Sequence, residues 1–151
     1  MATANINIGP PLTGQFTALV VDPADPPSDV VRVSDDFRID CTWFIQGGLA
    51  SSLGGQWYVQ AAFEAIGPGA EFRSAEINLP LTGKTGSANP YTASLSFPAG
   101  ADFPNGGPPK VPTGERNAPY EVTVLLSHTD VASNPGPLAA SVNLENLTIY
   151  A

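Results

Sequence analysis

The side chains best suited to chemistry are few in this chain, and they stand apart. His128 is the single histidine and Cys41 the single cysteine. Nucleophilic catalysis needs a base beside a Ser, Thr or Cys. His128 ends an alternating run on the parity of its apolar neighbours, and no G-x-S-x-G elbow occurs. It reads as a hydrogen-bonded rim residue. Zinc takes about four Cys or His ligands, which this chain cannot supply. Cys41 falls on a core-facing parity, so it reads as a buried, inert thiol. Gly83-Lys84-Thr85 has the end of a phosphate-binding loop. Asn78 stands where the first glycine of that loop belongs, and the following Gly86-Ser87-Ala88-Asn89-Pro90 cannot open a helix whose N–H groups would cradle a phosphate.

Carboxylates give two further candidates. Asp22, Asp25 and Asp29 share the loop DPADPPSD, and Asp35, Asp36 and Asp40 follow. Hard cations take such oxygens, which makes the first three a weak calcium candidate. The loop lacks the spaced ligands and terminal bidentate Glu of a calcium loop, and aspartate is also a preferred turn residue. Asp40, Glu64, Glu76 and Glu121 could supply a glycosidase pair, but all four fall on outward parity, where a wet sheet face accounts for them. Asn146-Leu147-Thr148 matches a glycosylation sequon. No metal and no cofactor is expected.

The elements that would position these groups are strands. The stretch Phe37 to Ile66 carries two alternating runs. Phe37, Ile39, Cys41, Trp43 and Ile45 share one parity, against Arg38, Asp40, Thr42 and Gln46, with Phe44 the apolar intruder. Trp57, Val59, Ala61, Phe63 and Ala65 repeat the pattern, with Tyr58 on the other side. Period two describes strands with one dry face. The connector has Gly47-Gly48 and Gly54-Gly55 at its ends, and glycine turns a chain at low steric cost. The stretch is therefore predicted to be a long-armed antiparallel hairpin. Both tryptophans fall among its packing residues.

Elsewhere the same logic applies. Residues 1–14 read as an arm or a weak first strand, ended by Gly9-Pro10-Pro11, ahead of a single domain over 15–151. Strands are predicted over Gln15 to Val21, Val30 to Ser34, Phe72 to Leu79, Tyr91 to Phe97, Tyr120 to His128 and Leu138 to Tyr150. The last changes parity near Glu145-Asn146, which calls for a bulge. Pro98 to Pro119, with six prolines and four glycines, reads either as a functional loop or as a crossover between sheets.

The composition supports this class. Fifteen glycines and sixteen prolines in 151 residues oppose long helices, while 42% hydrophobic content suffices for a core. The expected fold is all-β: an antiparallel two-sheet β-sandwich of about eight strands, immunoglobulin- or fibronectin-like in architecture, with long Pro/Gly-rich loops. The net charge of −8 disfavours nucleic acid and anionic membranes. No stretch approaches a membrane span. The start, MATANINIGPP, shows no secretory signal. These features fit a bacterial or viral protein kept in the cytoplasm, with signal-free export left open.

What remains is surface. Phe44, Tyr58 and Leu125 put apolar groups on outward parity, and Phe103, Lys110 and Arg116 lie in the long loop. Exposed apolar groups mark contact sites. The expected role is a non-enzymatic structural subunit with protein partners, self-associating or decorating a larger assembly. The alternative is a carbohydrate- or ligand-binding module.

Overall fold

A computed structural model describes residues 1–6, 12–23 and 29–151. Ile8, Gly9-Pro10-Pro11 and Asp25 lie outside the described residues. The fold is all-β, with two sheets. The first has four antiparallel strands: β1 (Ala2–Asn5), β2 (Thr13–Val21), β4 (Phe37–Gln46) and β8 (Tyr91–Phe97), in the order β1-β2-β4-β8. The second is mixed, in the order β3-β10-β9-β5-β6, with β7 also on β5. Its strands are β3 (Val30–Arg32), β5 (Gln56–Ala65), β6 (Phe72–Arg73), β7 (Ile77–Pro80), β9 (Asn117–Thr129) and β10 (Ala140–Tyr150). Among the described residues the helical content is one 3-10 turn, Ala50–Ser52.

The predicted faces hold. Phe37, Ile39, Cys41, Trp43 and Ile45 are buried on β4, and Trp57, Val59, Ala61 and Phe63 on β5. The predicted hairpin does not form. β4 pairs with β2 and β8, whereas β5 pairs with β9, β6 and β7. The glycine-marked connector carries the chain from one sheet to the other. Alternation reports which face of a strand is dry, and two strands facing one core from opposite sheets show the same alternation as two hairpin arms. The cores meet directly: the Trp43 and Trp57 rings stand edge-to-face with centroids 5.9 Å apart.

Other boundaries shift for local reasons. The chain start is a paired strand, with Ala2 to Asn5 opposite Ala18 to Gln15, and β2 begins at Thr13, inside the predicted arm. The antiparallel expectation fails at β3, whose Val30 to Arg32 runs parallel to Thr148 to Tyr150. More than a hundred residues separate them, so no tight turn dictates their direction. The predicted strand over Phe72 to Leu79 is split. At the break the Ser74 hydroxyl accepts the Ala61 N–H at 2.9 Å, and the Ser74 N–H donates to the Ala61 carbonyl at 2.9 Å. The β10 bulge is present: the register on β9 shifts between Asn143 and Asn146. That shift returns Leu147 and Ile149 to the buried face beside Val142.

Candidate interaction surface

The six residues that the sequence singles out do not form one patch. Tyr58 and Leu125 come together. Tyr58 pairs with Ser127 and Gln60 with Leu125, so Tyr58 and Leu125 are diagonal neighbours on the outward face of the second sheet. Both are half-buried. On the other diagonal, Thr129 Oγ1 donates to the Tyr58 hydroxyl at 3.4 Å. Asn78 flanks Tyr58 from β7, and Ser141 flanks Leu125 from β10. Phe44 belongs to the first sheet, half-buried on its outward face opposite Gln15.

The loop candidates divide differently. Phe103 is 2% exposed and Lys110 is 0% exposed, so neither offers contact surface. The loop from Pro98 to Arg116, shorter than predicted because β9 already begins at Asn117, connects the two sheets and folds inward. Phe103 stacks on Phe72 at 4.2 Å and meets Phe63 at 5.1 Å and Tyr120 at 5.8 Å. The close fold needs Gly107, where a Cβ would stand 2.6 Å from the Cβ of Phe103. Lys110 Nζ donates to the Pro98 carbonyl at 2.5 Å and lies 5.8 Å from the Phe37 ring centroid. Burial pushes the Lys110 ammonium below the usual lysine range, with Asp102 opposing the shift. The lysine pins the loop where the sequence suggested a contact. A lysine in a proline-rich loop carries no signal that separates these roles. Arg116 is exposed, and its carbonyl accepts the Ala151 N–H at 3.0 Å.

The chemical candidates are dispersed. His128 is buried, and its Nε2 donates to the Gly54 carbonyl at 3.0 Å. Its ring packs against Trp57 at 5.6 Å and against Gly136, where a Cβ would stand 1.9 Å from Nδ1. It closes a seam between the β4–β5 connector and the β9–β10 turn. Asp22 is buried, Asp29 is exposed, and Asp25 lies outside the described residues. Among the described residues no group of three or more His, Cys, Asp or Glu could hold a metal ion. Glu64 and Glu121 face each other across β5 and β9, both exposed, with the Asn143 amide donating to Glu121. Asp40 sits on the other sheet. Burial works against its charge, but hydrogen bonds from Arg38 and Ser94, with the Arg38 charge, hold its carboxyl below the ordinary value. Lys84 of the glycine-lysine-threonine motif lies over the Tyr91 ring at 5.4 Å.

One ordered feature escaped the sequence. Thr3 pairs with Thr17, Thr17 with Thr42, and Thr42 with Thr92, which makes a row of four threonines across the first sheet. The four sit far apart in the chain, so only the register reveals them. The two outward faces are thus different: hydroxyls on the first sheet, and a Tyr58–Leu125 spot on the second.

No protein-family model matches the chain, and a search of curated proteins finds no match. Among the described residues no helix is long and apolar enough to cross a membrane.

Proposed function

We propose that the two sheets form a β-sandwich, immunoglobulin- or fibronectin-like in architecture, and that the protein is a non-enzymatic structural subunit. It works by protein–protein contact, self-associating or joining a larger assembly as an accessory component. One observation carries this reading. Across β5 and β9 four consecutive outward rows hold no charge: Gln56–Thr129, Tyr58–Ser127, Gln60–Leu125 and Ala62–Thr123. The chain carries a net charge of −8. Interface centres are depleted of charge and enriched in aromatic residues. A tyrosine beside a leucine in an uncharged field has that composition. A cytoplasmic site of action belongs to the same reading, and the unpaired, buried Cys41 is compatible with it.

The carbohydrate-binding alternative draws less support. Trp43 and Trp57 are both 0% exposed, so neither can stack on a sugar, and of the half-buried outward tyrosines on the second sheet Tyr150 is already engaged by Arg32.

Sedimentation of the purified protein, together with co-purification from a native extract, tests the proposal. An oligomer or a stable hetero-complex is expected. Tyr58→Ala with Leu125→Ala should leave the melting curve nearly unchanged and weaken association by about tenfold or more, the scale of a modest hot spot. A monodisperse monomer with no partner in its native extract would overturn it.

A further inference from the structure

The four sheet edges are not alike. An open edge presents unpaired N–H and C=O groups, and proteins blunt such edges with short strands, charges, prolines or breaks. Three edges here are blunted. β1 has four residues and β3 has three. The edge on β5 is divided between a two-residue β6 and a four-residue β7 that ends at Pro80. The fourth edge, β8, is not. It runs seven residues, Tyr91 to Phe97, and contains neither a charge nor a proline. Among the described residues β4 is its one strand neighbour. On its inner side β8 is separated from β7 and the loops by two hollows, one of about 190 Å³ between Tyr91, Thr92 and Leu79, Pro80, and one of about 130 Å³ between Leu95, Ser96 and Ile77, Pro104.

We infer that β8 is the site where a second copy of this chain pairs, edge to edge and antiparallel, across a two-fold axis at Ser94. The inference rests on the proposed self-association and assigns it to this edge of the first sheet, leaving the Tyr58–Leu125 face of the second sheet to contacts with other subunits of an assembly. The sequence YTASLSF is self-complementary in that arrangement. Tyr91 faces Phe97 of the other copy, Thr92 faces Ser96, Ala93 faces Leu95, and Ser94 faces itself. Tyr91, Leu95 and Phe97 are buried on the inner face, and Thr92, Ser94 and Ser96 are exposed on the outer. The inner side chains are already closed within each copy's own core, so the contact falls to the main chain and to the outer row, where hydroxyls meet hydroxyls as favourable cross-strand pairs. The register keeps inner residues inner, as a strand pairing over a dry face must. A two-fold contact brings each residue near its own kind, so like charges would repel. In a chain of net charge −8, this uncharged strand meets its copy without that cost. The product is one continuous sheet of eight strands, four from each copy, with main-chain hydrogen bonds supplying affinity as in strand addition generally.

Charged pairs at the exposed positions test both the contact and its register. The double variants Thr92→Glu/Ser96→Glu and Thr92→Lys/Ser96→Lys each set like charges opposite one another. Circular dichroism checks that both fold, and sedimentation reads their mass. The parent is expected at twice the chain mass and each variant at the chain mass. An equimolar mixture of the two variants is expected to return to twice the chain mass. A parent dimer that survives both substitutions but dissolves in Tyr58→Ala/Leu125→Ala overturns the edge contact and leaves self-association standing. A monomeric parent whose hetero-complex is lost in both charged variants shows that the edge takes another protein's strand, which overturns the second copy as occupant. A monomeric parent with no partner overturns this inference and the proposed function together.

Discussion

Cys41 shows how much a single buried side chain can report. It sits on β4 at 1% exposure. Burial, with the neighbouring Asp40 charge adding to it, pushes its thiol from 9.0 up to about 12. The sign of the consequence is fixed by proton counts. Between pH 9.0 and about 12 the unfolded chain has released the thiol proton and the folded chain still holds it. Stability therefore falls as pH rises through that window, by at most about 1.4 kcal/mol per pH unit. Cys41→Ala removes this slope while adding a pH-independent packing loss. Denaturant titrations at pH 8 and pH 11 should show a larger drop for the parent than for the variant. Equal drops would mean that the thiol is not sheltered. Lys110 does not confound the comparison, since its shift is common to both proteins.

At the scale of elements, alternation made inward and outward residues legible, and the β10 parity change announced its bulge. Strand partners were not legible. Trp43 and Trp57 show why: both runs turn their apolar faces to one core, and nothing in either run says from which side. Outward parity found Phe44, Tyr58 and Leu125, but only the register separates Phe44 from the other two. The burial of Phe103 and Lys110 is not legible, because loop composition does not reveal that a loop folds back over Phe72 and Phe37. The β6–β7 break is a further case in which side-chain hydrogen bonding overrides alternation. Ser74 is 7% exposed, and its hydroxyl accepts the Ala61 N–H while donating to the Ala75 carbonyl. Gln60 Nε2 also donates to the Ser74 carbonyl at 2.9 Å. Ser74→Ala strands a buried N–H, which costs about 1–3 kcal/mol. Thermal or denaturant unfolding should show that loss, and faster amide exchange at Ala61 should accompany it. A variant as stable as the parent would mean that the break is held by β6 and β7 alone.

The whole molecule is knit by its crossings. Five of the nine connections between successive strands pass from one sheet to the other: β2 to β3, β3 to β4, β4 to β5, β7 to β8 and β8 to β9. Neither sheet is a contiguous piece of chain, so neither can form alone without closing long loops, and mostly non-local pairings of this kind fold slowly. The aromatic core reinforces the coupling. Phe16 meets Trp43 at 6.1 Å, Trp43 meets Trp57 at 5.9 Å, and Trp57 meets Tyr91 at 5.7 Å, a path that leaves the first sheet and returns to it. The two sheets should therefore unfold as one unit. Trp43 lies on the first sheet and Trp57 on the second, so each can serve as the lone fluorophore. In Trp57→Phe the emission of Trp43 reports the first sheet, and in Trp43→Phe the emission of Trp57 reports the second. Each substitution lowers stability, so the comparison is made within a variant, between fluorescence and far-ultraviolet circular dichroism. Coincident transitions in both variants are expected, as all-or-none unfolding requires. A fluorescence midpoint displaced from the circular dichroism midpoint in either variant would show that one sheet can come apart while the other persists.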